Sequence, residues 1–263
     1  PSFARGYIRE ADMWGITPFD HALCRIQYQN LRYEGPLTPP STGGSLLYPG
    51  VGGGMNWGSV AIDEVNHLMV VNVMHNPNIV RLYPQDELTG EEQFGIGGTQ
   101  SGTPYAAYSF FFLSSIFTPC WSPPYGEMAV VDLASQEVLW QRGLGTAKDQ
   151  GPLGIPSGIP LPMGMFYNAG SMVTGGGLIF NGGVADSTMR AINVYNGEEV
   201  WSEALPGSSG ATPMSYISPI SGKQYVIVTV PGSGGGLQLE SAINSLDEAE
   251  VAGGYIIAYA LPD

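Results

Sequence analysis

The sequence predicts an all-β fold made of repeated antiparallel strand units, and three observations predict it. Glycine and proline, 38 and 21 of 263 residues, punctuate the chain at short intervals. Between them lie short runs rich in branched and aromatic residues, such as "HLMVVNVM" and "QYVIVTVPG". Third, one two-stranded plan occurs twice, in "AVVDLASQEVLWQ" (129–141) and "RAINVYNGEEVWSE" (190–203).

In order along the chain, residues 1–44 read as an irregular arm with one short helix. "TPFDHALCRIQYQNLRYEG" offers a Thr-Pro or Asp start, Leu23, Ile26 and Leu31 at helical spacing, and a Gly35-Pro36 stop. Strands follow from residue 45 in "SLLYPG", "GSVAID", "HLMVVNVM" and "NIVRLYP". Residues 84–125 read as a long inserted connection with two Gly-rich patches, an aromatic run and "TPCWSPPYG".

The repeated plan then takes over. Each copy starts a strand on Ala, turns after Asp132 or Asn193, and ends a second strand on Trp140 or Trp201, so each is a β-hairpin. Gly-rich links lead to "GGLIFNG", "PMSYIS", "QYVIVTVPG" and "GYIIAYAL". Antiparallel units of a few strands joined by such links are the signature of a β-propeller over 45–263. The strands suffice for about three to four blades, whereas a closed ring takes about four to eight to hide its edges. We therefore expect a partial propeller completed by another segment rather than a closed four-bladed ring, and the start on Pro1 without an initiator Met points the same way.

Charge excludes some functions. Nine Lys and Arg against 23 Asp and Glu give a formal charge of −14, which removes the electrostatic footprint of a nucleic-acid binder. The runs Asp86–Glu92 and Asp247–Glu250 read as solvated loops and match no calcium-loop spacing. No apolar run reaches 18 residues, "YSFFFLSSIF" (108–117) included, and residues 1–10 lack the pattern of a signal peptide. Phosphate loops, dinucleotide fingerprints, nucleophile elbows and zinc-protease helices are all missing from the sequence. His21, His67 and His75 have no carboxylate or Cys cluster at ligand spacing, so they read as solvent-facing or hydrogen-bonded and no metal site is assigned. Cys24 and Cys120 are either one disulfide or two buried thiols.

One stretch stands apart. "YPGVGGGMNWGSVAID" (48–63) resembles a loop of the membrane-associated quinoprotein dehydrogenases, the glucose, polyol and quinate dehydrogenase group. The likeness extends collinearly through "ADMWGITPFDHALCRIQYQNLRYEGPLTPPST", "GTPYAAYSFFFLSSIFTPC", "PPYGEMAVVDL", "GKQYVIVTVPGSGGG" and "GYIIAYALPD". The Ala-to-Trp hairpins are similar to that family's tryptophan-docking motif, in which the Trp locks neighbouring blades together.

The resemblance implies the C-terminal half of an eight-bladed propeller that binds pyrroloquinoline quinone (PQQ) with a calcium or magnesium ion. It implies a periplasmic enzyme that oxidises a polyol, sugar or cyclic alcohol and passes electrons to ubiquinone. The general base, the metal ligands and a quinone-contacting Lys are expected upstream of Pro1, in an N-terminal propeller half, so no catalytic residue is assigned here. Membrane association is expected only through parts outside this chain. Asn56 and Trp57 are the expected cofactor contacts, together with Gly232, Ser233 and Gly234 of "VPGSGGG" (230–236). Ser233 stands about where glucose dehydrogenases carry a His, which puts glucose in doubt as the substrate. Residues 237–252 read as a second insertion, a polar helix with Leu237, Leu239, Ile243 and Leu246 on one side. The cysteines occupy family positions, and a periplasmic location permits a disulfide between them. The alternative reading is a non-catalytic β-propeller scaffold for cell-envelope protein assembly, which has no need of "GGGMNWG".

Overall fold

A computed structural model describes residues 1–56, 58–89, 95–166, 169–231 and 253–261. Its arm carries α1 (Pro18–Gln29), started by the Thr17 hydroxyl, which accepts from Asp20 N at 3.1 Å, with Pro18 in the first turn where its missing N–H costs nothing. The helix ends at Gln29, before the Gly35-Pro36 stop. A disulfide joins Cys24 of this helix to Cys120, with the Cα atoms 5.2 Å apart.

Four antiparallel sheets follow among the described residues. The first contains β1 (Ser45–Leu47), β4 (Asn78–Pro84), β5 (Ile96–Gly98) and β6 (Tyr105–Phe111), in the order β1-β4-β6-β5. The second contains β2 (Val60–Asp63), β3 (Leu68–Met74), β7 (Gly126–Asp132) and β8 (Glu137–Gly143), in chain order. The third is a simple meander of β9 (Met172–Val173), β10 (Leu178–Asn181), β11 (Thr188–Asn193) and β12 (Glu199–Ala204), and the fourth joins β13 (Met214–Ile217), β14 (Gln224–Val230) and β15 (Tyr255–Ala260).

The first two sheets are interleaved in sequence. β3 and β7 are hydrogen-bonded neighbours, yet β4, β5 and β6 lie between them in the chain and join β1 in a separate sheet instead. The segment expected as an inserted loop at 84–125 therefore supplies two strands of a sheet. The cause of the difference is local. A Cβ on Gly97 of β5 would lie 2.2 Å from the Ala107 carbonyl of β6, so a close-approach strand is written in glycine and looks like a loop. The second expected insertion, 237–252, lies outside the described residues.

The two Ala-to-Trp hairpins form as expected and are built alike. Asp132 Oδ1 accepts from Ala134 N and Ser135 N at 2.7 and 2.9 Å, and Asn193 Oδ1 accepts from Tyr195 N at 2.9 Å, closing both turns. Both ladders shift register once, between Val130 and Val131 and between Ala191 and Ile192. Trp140 of the second sheet donates Nε1 to the Val194 carbonyl of the third, and Trp201 of the third meets Tyr259 of the fourth edge-on, ring centres 5.0 Å apart. Sheets two, three and four thus stand as neighbours, each outer-strand Trp bridging to the next. Asp186, fully buried and paired with Arg190, also accepts from Thr146 N at 2.8 Å and ties down the link between the second and third sheets.

Candidate functional site

The inner strands of the three neighbouring sheets begin at one place. A Cβ on Gly58, just before β2, would lie 2.1 Å from Gly170 N; one on Gly170, just before β9, would lie 2.3 Å from Gly58 O and 2.6 Å from the Thr212 hydroxyl before β13. Backbone meets backbone here, and only glycine at both positions allows it. Asn56 stands two residues before this contact, in a turn closed by Ser59 N donating to Asn56 O at 3.0 Å.

The loop in front of Asn56 is held from three sides. Gly53 N donates to Gly50 O at 2.8 Å with Gly53 in the left-handed region at φ 68°, Val51 N donates to Asn78 Oδ1 at 3.0 Å, and Met74 N donates to Gly54 O at 2.6 Å. Asn56 borders a cavity of about 10 Å³ with Gly54, Asn72, Met74 and Ala169, room for about one water. The surroundings are amides, hydroxyls and bare backbone. They suit the polar edge of a planar quinone, which needs directed donors and close backbone approach. They do not suit a divalent cation, and among the described residues no group of three His, Cys, Asp or Glu comes together.

Three side chains that sequence reasoning missed support the neighbouring loop. Ser171 Oγ donates to Asn72 Oδ1 at 3.0 Å, Asn181 Nδ2 donates to Ser171 Oγ at 3.2 Å, and Asn72 Nδ2 donates to the Ala169 carbonyl at 3.3 Å, all of them buried. A signal was available, because Asn-x-Gly-Ser occurs at 56–59 and again at 168–171. Of the other expected contacts, Trp57, Gly232, Ser233 and Gly234 lie outside the described residues. The strand leading to the last three ends at Val230, against which a Cβ on Gly207 would pack at 3.3 Å, and Gly207 belongs to the same link as Thr212.

His75 follows Met74 directly and is 1% exposed, so of the two expectations for it the hydrogen-bonded one holds and the solvent-facing one does not. Its Nε2 lies 2.6 Å from Glu127 Oε2 and its Nδ1 3.0 Å from the Tyr48 hydroxyl. A carboxylate only accepts, so Nε2 donates to Glu127, and Nδ1 shares a hydrogen bond with the Tyr48 hydroxyl. The hydrogen bond from His75 holds the Glu127 carboxyl below its ordinary range against the opposing effect of burial, and burial pushes the Tyr48 phenol up. This relay braces both ends of the Asn56 loop: Tyr48 precedes it, and the β3 strand that receives it ends beside His75.

Comparison with known proteins agrees with this architecture. Residues 1–226 match the PQQ family model described as glucose/ethanol/alcohol dehydrogenase, beta-propeller domain. The chain belongs to this PQQ β-propeller family. Within it, the chain is 42% identical to the quinate/shikimate dehydrogenase (quinone) of Acinetobacter baylyi, covering 99% of this chain and 32% of that protein. It is 37% identical to the quinoprotein glucose dehydrogenase of Escherichia coli (96% of this chain, 31% of that protein) and 37% identical to the glycerol dehydrogenase large subunit of Gluconobacter thailandicus (86% and 32%). The chain therefore spans about a third of the length of these relatives. Among solved structures, a europium-containing methanol dehydrogenase superposes with a TM-score of 0.52 at 20% identity, over 83% of this chain and 35% of that one, and shares the fold.

Proposed function

We propose that this chain is the C-terminal portion of a periplasmic PQQ-dependent dehydrogenase that oxidises a polyol, sugar or cyclic alcohol and passes electrons to ubiquinone. The observation that carries the reading is the glycine-to-glycine contact that presents Asn56 at the shared start of the inner strands, in a chain whose relatives bear quinoprotein dehydrogenase names. When bound, PQQ takes up the two electrons and two protons that leave an alcohol as it becomes a carbonyl. The chain's own part is to bind and orient. Asn56 offers an amide to the quinone edge, Trp57 a wall, and Gly232, Ser233 and Gly234 a backbone cover from the neighbouring link. Calcium or magnesium and the general base belong to the N-terminal propeller half. The higher identity to the quinate/shikimate enzyme than to the glucose enzyme, 42% against 37%, favours a cyclic polyol, as does a serine at position 233.

The test uses the intact protein supplied with PQQ and calcium, assayed for quinone absorbance and for dye-linked oxidation of quinate, glycerol and glucose. Absence of both signals overturns the reading. Asn56→Ala is expected to weaken PQQ binding about tenfold, the scale of one lost hydrogen bond, with an unchanged unfolding temperature. An unaltered PQQ titration in that variant removes Asn56 from the site.

A further inference from the structure

A polar cavity separate from that of Asn56 lies where the arm crosses the ends of β1 and β3. It has a volume of about 90 Å³, room for a few waters or one carboxylate group, and its wall includes Arg5, Arg9, Asp12, Tyr48, His75 and Trp121. The floor is buried, since Tyr48, His75 and Trp121 are 4%, 1% and 4% exposed. The rim is fixed as well. Ile8 N donates to the Tyr33 hydroxyl and the Tyr28 hydroxyl donates to the Ile8 carbonyl, both at 3.1 Å, and Ser122 N donates to the Asp12 carbonyl at 3.0 Å. The arm therefore holds two arginines over one hole.

The chain has seven arginines against a formal charge of −14, and two of them meet here. Arg9 faces Asp12, with Nε 3.6 Å from Oδ2. Arg5 forms no ion pair among the described residues, and of its five side-chain N–H donors one is used there, Nη1 donating to the Ser122 carbonyl at 2.9 Å. A guanidinium with open donors suits a planar oxyanion, which it grips with two parallel bonds. Two guanidiniums against Asp12 leave the cavity wall positive, while Asp12 and the nearby Glu127 count against an anion of more than one charge. The neighbourhood is also short of acceptors. The hydroxyl of Tyr125, a residue 1% exposed, has no partner among the described residues; burial pushes this phenol up, and the Arg5 charge opposes the shift.

Tyr48 can serve an anion only when its hydrogen is free, and its bond with His75 Nδ1 has two arrangements. With His75 neutral, the Tyr48 O–H donates to Nδ1 and nothing is left for the cavity. With His75 protonated, Nδ1–H donates to the Tyr48 oxygen, Nε2–H stays on Glu127, and the Tyr48 O–H turns to the cavity. Glu127 and Asp12 favour that proton, whereas Arg5 and Arg9 oppose it. An anion between the arginines and Tyr48 offsets the opposition.

We infer that this cavity is a carboxylate-binding site, in which Arg5 and the Tyr48 hydroxyl hold the anion and one proton from solvent is taken up on His75. Tyr48 leads into the Asn56 loop, so an occupied site ties that loop to the arm. None of these residues is an expected cofactor contact, and the site stands whether or not the dehydrogenase reading does. The carboxylate can come from two sources, a small free acid or an Asp or Glu of the N-terminal propeller half, and the experiment tells them apart.

Acetate is titrated into the intact protein by calorimetry at constant ionic strength, with chloride in its place as the control. One-site binding is expected, tighter at pH 6 than at pH 8, a range across which acetate stays ionised. Arg5→Gln should weaken it about tenfold or more, the scale of a lost charge-assisted hydrogen bond. Tyr48→Phe should remove the pH dependence. Arg81→Gln, at an arginine of β4 that also forms no ion pair among the described residues, should change nothing. Arg5 is exposed, so its variant reports on the site even where Tyr48→Phe, at a buried residue, fails to fold. A crystal structure of the intact protein, grown without added carboxylates, covers the second source. An Asp or Glu side chain in the cavity against Arg5, with no acetate binding, supports the inference and assigns the anion to the protein itself. Acetate binding that survives Arg5→Gln, or that is equal at pH 6 and pH 8, overturns it. So does a protein that neither binds acetate nor places a carboxylate of its own in the cavity.

Discussion

Trp140 lies with its indole ring against Gly197 of the neighbouring sheet while its Nε1 donates to the Val194 carbonyl at 2.7 Å. A Cβ on Gly197 would come within 2.9 Å of the ring carbons, and Gly197 is held at φ 73°. Docking between the sheets thus needs both the tryptophan and a residue with no side chain opposite it. Gly197→Ala is expected to cost about 1–3 kcal/mol, from overpacking and from the left-handed backbone. Trp140→Phe keeps most of the ring but drops the hydrogen bond, at a cost of about 1 kcal/mol. Denaturant unfolding of the intact protein checks both, and a Gly197→Ala variant as stable as the parent would sink the docking account.

The Glu127–His75 contact predicts a pH dependence with a definite sign. The folded-state pKa of Glu127 is depressed, chiefly by the His75 hydrogen bond, so the stability it contributes is present above its ordinary value of 4.5 and is lost as pH falls below it. Glu127→Gln should therefore flatten the acid limb of the stability curve and cost about 1–3 kcal/mol at neutral pH, as expected for a hydrogen bond in which one partner is charged. Unfolding temperatures measured from pH 3 to pH 7 test this; parallel curves for parent and variant would remove Glu127 as the source.

The disulfide clamps the arm onto the segment that runs from β6 to β7. Its cysteines are 96 residues apart in sequence, so closing that loop in the unfolded chain should stabilise the fold by about 2–5 kcal/mol. Cys24→Ser with Cys120→Ser should lower stability by that amount, and a thiol-reducing agent should do the same to the parent. Two titratable thiols in the unreduced, denatured protein would rule the bond out.

The tryptophan hairpins were legible because their information is local. Asp132 and Asn193 mark turns through bonds two or three residues along the chain, and the two strands that follow need only each other. β5 was not legible, because Gly97 is dictated by the approach of Ala107 from β6 and carries no strand propensity of its own. The hydrogen-bond partners of His75 were not legible for the same kind of reason: Glu127 and Tyr48 are 52 and 27 residues away. In the candidate site, Asn56 could be nominated from its resemblance to family loops, whereas the Asn72, Ser171 and Asn181 network becomes evident only when β3, β9 and β10 stand together.

By itself the sequence determined the all-β class, the paired hairpins and their docking tryptophans, the family likeness and the glycine-rich loop that offers Asn56. These follow from turn chemistry, alternation and motif, which act over a few residues. Only the tertiary structure decided that β4, β5 and β6 leave the second sheet to build another with β1, and that the Asn56 loop is braced by a buried Tyr48–His75–Glu127 relay. Each of these depends on segments brought together from tens of residues apart, where hydrogen bonding and close packing, rather than local preference, choose the partner.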